Sequence, residues 1–390
     1  MNRLLLLLTI LSTSTAQAAP VHPMVPMFHR WDYEKANELI DKVAATGAKR
    51  VQFTILLLCE LDAKFKVKNY GAVWPRDEGD PKFQPMTAAM LAEIKSEFTS
   101  AFRHAVEKKL EIAILPQLDA GGTIQEWRNF FDFDPTEQLA GFSYETVMLQ
   151  TIMEALEAAA PPGHPVEITL EGEMGCTLFT HPSAWHQMLK RLRNRGKLSQ
   201  LRLGVSTNYE GVNGKIIPNS TQQSTIQQLI AEADFVGISC YCKTGAIPDA
   251  ADFQRCVESY CREYADLGCP IPESKPLRFT ELGLGGGGFD KDWKLVVPSP
   301  SPESMGKAAF FGTDELEKNP WLDEERSAYR RLFYKAALDF LKTQPAKWKV
   351  ENAYLWSYGS FDVHGLKKPE FGDVSIAADI ARHNQNPPAR

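Results

Sequence analysis

The sequence lacks several motifs that would identify a common enzyme class directly. It has no pair of C-x-x-C hooks, no H-E-x-x-H and no H-x-H, so its pattern disfavours a zinc site or a metal-dependent hydrolase. It has no G-x-S-x-G motif of a serine hydrolase. The run GLGGGG follows a glutamate at the end of an apolar stretch, whereas a dinucleotide-binding loop opens a helix. We therefore expect no metal and no organic cofactor.

The sequence also lacks an excess of positive charge, and long apolar runs are confined to the N-terminus. A net charge of −6 argues against nucleic acid or an anionic membrane surface as a partner. The first twenty residues, MNRLLLLLTILSTSTAQAAP, combine Arg3, an apolar run over 4–11 and an A-x-A pattern at 16–18. This arrangement predicts a signal peptide over 1–18 that is cleaved after Ala18. We expect a secreted or periplasmic protein without a membrane span, in which 19–390 form a single domain.

Seven cysteines follow the predicted cleavage site, so at least one thiol must stay unpaired. One or two disulfides would be compatible with an oxidising compartment, and the sequence leaves their pairing open.

Short apolar runs rich in β-branched residues alternate with amphipathic segments along the whole chain. The runs predict eight strands over 25–28, 50–56, 111–117, 166–173, 201–208, 235–241, 277–281 and 352–357. The amphipathic segments predict helices over 33–46, 90–109, 144–159, 183–195, 225–233, 251–267 and 325–343. Repeated β-then-α units with short connections favour a single closed (β/α)8 barrel of the α/β class. Two long loops are expected over 59–85 and 282–323, both after the carboxyl end of a strand.

The predicted fourth strand, VEITLEGE, carries an unusual row of polar residues. Alternation along the strand assigns Glu167, Thr169, Glu171 and Glu173 to the barrel lumen. A buried carboxylate is costly unless it is paired, so we expect a function for at least one of them. Glu173 is the candidate nearest to the open end of the barrel.

A second carboxylate, Glu281, ends the predicted seventh strand in the stretch PLRFTELGLGG. Two facing carboxylates are the requirement of glycoside hydrolysis: one donates a proton to the leaving oxygen, and the other attacks the sugar or activates water. The glycines after Glu281 would let the backbone make way for a sugar ring. A simpler interpretation makes Glu281 a partner of a neighbouring cation such as Arg278.

The chain resembles clan A glycoside hydrolases, and within that clan it is similar to glycoside hydrolase family 113. The stretches that carry the resemblance are ILPQLDAGG, TLEGEMG with SAWHQMLKRLR, ADFVGISCY, PLRFTELG and AYLWSYGSF. The resemblance implies a retaining mechanism with Glu173 as general acid/base and Glu281 as nucleophile, and β-mannan or manno-oligosaccharides as substrates. Many clan A enzymes have Asn directly before the acid/base residue, where this chain has Gly172, and Glu171 remains a competing candidate for the acid.

Several residues at predicted strand ends could support this chemistry. Tyr241 could donate a hydrogen bond to Glu281 and keep it ionised, and Trp356 could form an aromatic floor under a sugar. Further candidates for binding hydroxyl groups follow the first, third and fifth strands, namely His29, Arg30, Trp31, Gln117, Asp119, Asn208 and Tyr209.

The sequence thus predicts a retaining glycosidase that acts on a β-linked glycan. β-Glucan and the glycan strands of peptidoglycan remain alternatives to β-mannan. The competing function is a barrel that binds carbohydrate without cleaving it, although such a protein has no need of two opposed carboxylates. The sequence leaves the oligomeric state open.

Overall fold

The short apolar runs form the strands of a mostly parallel sheet. The computed structural model describes residues 18–73, 83–289, 295–296, 311–344 and 347–385. Within these ranges the strands are β1 Val21–His22, β2 Met24–Met27, β3 Arg50–Leu61, β4 Val67–Val73, β5 Phe83–Pro85, β6 Glu111–Ala120, β7 Val166–Thr169, β8 Leu201–Asn208, β9 Phe235–Cys240, β10 Leu277–Leu282, β11 Gly288–Phe289, β12 Leu295–Val296 and β13 Val350–Leu355.

The parallel strands close into a barrel, as predicted. From β3 they run through β6, β7, β8, β9 and β10 to β13, each hydrogen-bonded to the next. The first barrel position consists of β1 and β2, which are separated by Pro23. β1 pairs with β13, and β2 pairs with β3, so the ring is complete. The predicted (β/α)8 fold is therefore confirmed.

Amphipathic helices surround the barrel. They are α1 Arg30–Ala45, α2 Ala88–Glu107, α3 Thr151–Ala159, α4 Gly175–Thr180, α5 Pro182–Arg193, α6 Ser220–Glu232, α7 Ala250–Asp266, α8 Glu324–Thr343 and α9 Val374–Gln385. All seven predicted helical segments lie in these helices, apart from a π-helical turn, Glu145–Gln150, that precedes α3. Several helix starts follow from capping side chains, since Asn219 and Asp249 each accept the N–H of the residue three positions later.

The predicted long loop over 59–85 is wrong in its described part. β3 continues to Leu61 and turns back through β4, which pairs antiparallel with β3 and with β5. This hairpin extends the sheet above one side of the barrel mouth. Part of the second predicted loop, including Trp293 and the run PSPSPES, lies outside the described residues, as does nearly all of the predicted signal peptide.

The lower lumen holds a buried ionic layer. The Glu167 carboxylate accepts hydrogen bonds from Arg278 at 3.1 and 3.3 Å and from the Tyr354 hydroxyl at 2.9 Å. Arg50 Nη1 lies 2.9 Å from the same carboxylate. Arg278 therefore pairs with Glu167, and also with Glu351 at 2.8 Å, so it is not the partner of Glu281 that the simpler interpretation proposed.

All seven thiols are unpaired and buried. Cys240 Sγ on β9 lies 3.5 Å from Cys256 Sγ on α7, which is well beyond a disulfide bond length. Within the described ranges, no helix combines the length and apolar character needed to cross a bilayer.

Candidate active site

Glu281 lies at the carboxyl end of β10, and an irregularity in the strand turns it into the lumen. The register of β10 shifts between Phe279 and Glu281 against β9, and between Phe279 and Leu282 against β13. Thr280 faces the lumen, where its hydroxyl lies 2.5 Å from that of Ser206. Strict alternation would direct the next side chain outward, so the bulge re-aims Glu281 towards the barrel mouth.

Two donors hold the Glu281 carboxylate, which is 2% exposed as a residue. Gln117 Nε2, on β6, donates to Oε1 at 2.6 Å. The Tyr241 hydroxyl, just after β9, donates to Oε2 at 2.6 Å. Residues from three strands thus fix the orientation of this carboxylate.

Glu173 occupies a sharp turn beyond β7, not the strand itself. β7 ends at Thr169, four residues earlier than the predicted strand. Glu173 has a φ of 64°, a left-handed conformation that is uncommon for a residue other than glycine. Its N–H donates to the carbonyl of Ser206 at 2.9 Å. The turn therefore depends on hydrogen bonds that compensate for the backbone strain.

Glu171 supplies part of that compensation. Its carboxylate accepts the N–H of Met174 at 2.9 Å and the N–H of Ser206 at 2.7 Å. Both oxygens are therefore engaged by the backbone, and burial raises the pKa of Glu171 to about 8. Glu171 is fully buried and does not line the cavity described below, so its expected place in the open lumen is wrong.

The Glu173 carboxylate is also held by two donors. Asn208 Nδ2, at the end of β8, donates to Oε1 at 2.6 Å. Arg128 Nη1 donates to Oε2 at 2.9 Å. Arg128 is held in turn by Asp119, whose Oδ1 accepts from Nε at 3.0 Å and from Nη2 at 2.6 Å.

The electrostatics of the two carboxyls are linked. Burial raises the pKa of Glu281 well above its usual range, and the negative charge of Glu173 raises it further. The hydroxyl of Tyr241, the charge of Arg128 and the amide of Gln117 act in the opposite direction, but burial outweighs them. Burial and the charge of Glu173 therefore both oppose the ionised form of Glu281.

Both carboxylates line one cavity of about 680 Å³ at the carboxyl ends of the strands. Aromatic side chains form much of its wall, among them Tyr241, Trp356 and Phe361. Trp356 follows β13 and stacks on Phe28, with ring centroids 5.8 Å apart. Such a cavity combines acidic groups with flat apolar faces, which is the composition expected of a site for a polar ring-shaped ligand.

Some of the remaining predicted binding residues line the cavity, and others contact the residues that line it. Tyr209 and Asn208 line the cavity. Gln117 and Asp119 lie behind it and contact Glu281 and Arg128, respectively.

The candidates after the first strand lie away from the cavity wall. Trp31 stacks on His29 in the first turn of α1, with centroids 4.4 Å apart, and neither these residues nor Arg30 line the cavity. Trp31 is therefore not among the residues that line the cavity, and its role in binding stays a prediction.

The glycines after Glu281 have a different function from the one expected. A Cβ at Gly283 would lie 2.8 Å from the Phe361 ring, and one at Gly285 would lie 2.2 Å from the Phe311 carbonyl oxygen. The missing side chains therefore make room for other parts of the chain. Gly172 is likewise required, because a Cβ there would lie 2.8 Å from Leu115.

The sequence analysis missed Arg128 and its neighbours Glu126, Trp127 and Phe130, which all line the cavity. They belong to an aromatic and charged segment, QEWRNFFDFD, after the third predicted strand. The position of this segment after a predicted strand was the only indication in the sequence that it could belong to the site. Arg128 and Glu173 are 45 residues apart, and no sequence spacing predicts that they are in contact. Among the described residues, no group of three or more His, Cys, Asp or Glu side chains is arranged to hold a metal ion.

The fold has solved counterparts, although the sequence matches neither a protein-family model nor a curated protein. The GH113 β-mannanase AaManA from Alicyclobacillus acidocaldarius, in complex with ManMIm, is 15% identical, with 94% of this chain and 97% of that chain covered and a TM-score of 0.53. A GH113 β-1,4-mannanase is 13% identical, with 95% and 98% covered and a TM-score of 0.51. GH5_18 from Streptomyces cattleya, in complex with GlcNAc, is 12% identical, with 95% and 81% covered and a TM-score of 0.50. The resemblance is thus confirmed at the level of the fold.

Proposed function

We propose that the protein is a retaining glycoside hydrolase that cleaves a β-linked glycan. The main support for this proposal is a pair of carboxylates that line one cavity. Each carboxylate accepts hydrogen bonds from two side chains of other strands or loops. Asn208 and Arg128 hold Glu173, and Gln117 and Tyr241 hold Glu281. A protein that only binds sugar gains nothing from burying two interacting carboxyls, whose mutual repulsion is costly.

The reaction proceeds by double displacement. Glu281 attacks the anomeric carbon while Glu173 transfers its proton to the glycosidic oxygen, so that the carbon–oxygen bond breaks and the leaving sugar departs as an alcohol. The resulting sugar ester of Glu281 is then attacked by water, which gives its proton to Glu173. The ester bond breaks, and both carboxyls return to their starting states.

Attack requires Glu173 to carry a proton and Glu281 to be ionised. The positive charge of Arg128 favours the ionised form of Glu281, because it lowers the pKa of that carboxyl. Tyr241 and Gln117 stabilise the negative charge of Glu281 before attack. Gln117 and Tyr241 thus act on the nucleophile, whereas Asn208 and Arg128 contact the general acid/base.

A β-mannan or manno-oligosaccharide is the substrate class that we propose first. The sequence resemblance supports this choice, as do two structurally similar proteins that are β-mannanases. β-Glucan and the glycan strands of peptidoglycan are the other substrates to test. Export by the predicted signal peptide would give the protein access to any of these polymers.

The test is anion rescue of Glu281→Ala with an activated aryl β-mannoside and its β-glucoside counterpart. We expect the variant to lose nearly all hydrolysis, and azide to restore turnover by entering the space that the carboxylate vacated. The product should be the glycosyl azide of inverted configuration. Glu317→Ala removes an exposed glutamate and serves as the control.

Near-normal hydrolysis by Glu281→Ala would refute the assigned nucleophile. Binding of β-mannan, β-glucan or peptidoglycan by the wild-type protein, with no cleavage of any of them, would refute the enzymatic function and favour the carbohydrate-binding alternative.

A further inference from the structure

We infer that Trp127 and Glu126 form the binding subsite for the leaving-group sugar, and that this subsite takes a neutral hexose. The inference rests on the proposed function. Trp127 lines the cavity and is 39% exposed, although large apolar side chains are usually buried. The exposed ring lines the same cavity as Glu173 and Glu281, and aromatic rings in such cavities are surfaces on which ligands stack.

The position of Trp127 relative to the two carboxylates identifies the side of the scissile bond. Trp127 directly precedes Arg128, which donates to Glu173, the group that protonates the leaving oxygen. Trp356 lies at the Glu281 side, where its N–H donates to the carbonyl of Leu282 at 3.0 Å. The sugar under attack therefore lies towards Trp356, and the departing sugar lies towards Trp127.

The Trp127 ring is braced before any ligand binds. Its ring meets the Phe130 ring edge-on, with centroids 5.4 Å apart and planes at 87°. A Cβ placed on Gly211 would lie 3.8 Å from the Trp127 ring. The loop that contains Gly211 therefore packs against the edge of that ring. A ring that is already immobilised loses little conformational entropy when a sugar stacks on it.

The turn that carries Trp127 is also anchored on both sides. Asn129 Nδ2 donates to the Gly211 carbonyl at 2.6 Å, and Asn129 Oδ1 accepts the Gly175 N–H at 2.8 Å. Arg128 Nε donates to the Leu118 carbonyl at 3.1 Å. The subsite is therefore fixed to the same elements that position Glu173, which keeps the departing sugar in register with its acid.

Glu126 gives this surface its chemical preference. One of its oxygens accepts the Trp127 N–H at 2.8 Å, and among the described residues no Lys or Arg forms an ion pair with it. Glu126 lines the cavity beside the exposed ring, whereas the carboxylate of Glu210, which also lines the cavity, is paired with Lys243. Carboxylates accept hydrogen bonds from sugar hydroxyls and repel a negatively charged ring, so a neutral hexose fits and a uronic acid does not.

The test compares two substrates that share the attacked sugar and differ in the leaving group. β-Mannotetraose has a leaving group of one or more sugars, whereas β-mannosyl fluoride has only fluoride; cellotetraose and β-glucosyl fluoride replace them if the wild-type protein prefers β-glucan. We expect Trp127→Ala to lower kcat/KM for the tetrasaccharide about 5- to 10-fold, from the loss of burial of the exposed part of the ring. The kcat/KM for the glycosyl fluoride should change less than twofold.

Two further variants separate a sugar contact from a general effect on folding. Trp127→Phe keeps a flat ring and should retain most activity on the tetrasaccharide. Ile247→Ala removes an exposed side chain outside the cavity and should leave kcat/KM unchanged for both substrates.

Equal losses on the fluoride and the tetrasaccharide, or no loss on the tetrasaccharide, would overturn the subsite while leaving the proposed function intact. A wild-type protein that hydrolyses neither substrate would overturn the proposed function and the subsite with it.

Discussion

Replacement of Glu167 by Gln should destabilise the protein by about 3 kcal/mol at neutral pH. Burial alone would raise the pKa of this carboxyl, but attraction to Arg278 and Arg50 lowers it from 4.5 to about 2. A difference of about 2.5 pKa units corresponds to about 3 kcal/mol of folding free energy. The cost of leaving buried arginines without their anion, about 3 to 5 kcal/mol, is of the same size.

The sign of the pH dependence follows from the direction of the shift. Because the pKa of Glu167 is lower in the folded state, the contribution of its carboxylate to the free energy of unfolding is fully present above pH 4.5. This contribution is lost as the pH falls towards 2. The free energy of unfolding should therefore differ by about 3 kcal/mol between wild type and Glu167→Gln at pH 7. The difference should shrink progressively below pH 4.5.

Equilibrium unfolding in urea at a series of pH values measures this difference directly. Glu317→Gln, which alters an exposed glutamate, is the matched control and should lie within about 0.5 kcal/mol of wild type. A Glu167→Gln variant that loses less than about 1 kcal/mol at pH 7 would refute the reasoning, as would a difference that stays constant in acid.

Two other predictions concern the cavity itself. Glu173→Gln removes the general acid, so the basic limb of the kcat/KM profile should be lost, and the rate should fall most on substrates with poor leaving groups; a retained basic limb with equal losses on all leaving groups would contradict this role. Gly172→Ala should lower stability by about 1 to 3 kcal/mol in thermal unfolding, because its Cβ would lie 2.8 Å from Leu115 Cδ1, whereas Gly163→Ala, with no atom within 4 Å, should be nearly neutral.

The row of polar residues in VEITLEGE shows how far alternation along a strand can be trusted. Glu167 lies in the lumen as expected, and it stabilises the barrel through Arg278. Alternation fails after Thr169, where the regular strand ends and the chain turns. Glu171 then binds backbone N–H groups, and Glu173 reaches the cavity from a left-handed turn. Local patterns could not predict this, since the turn depends on Ser206 in the next strand.

The arrangement around Arg128 was beyond any local pattern. Leu118 and Asp119, two of its anchors, are adjacent on β6, but the third, Glu173, lies 45 residues from Arg128 and meets it only when β6 and β7 are adjacent in the barrel. Sequence motifs predicted the charged strand ends, but they contain no information on which loop folds back over them.

The sequence by itself determined the alternation of strands and helices, because the spacing of apolar residues is a local property that burial on one face requires. It also determined that two glutamates follow strands whose carboxyl ends share one rim of a parallel barrel. The tertiary structure alone decided that a bulge turns Glu281 inward and that a strained turn presents Glu173. Such deviations from regular geometry are stabilised by contacts between distant segments, and these contacts exist only after the barrel has closed.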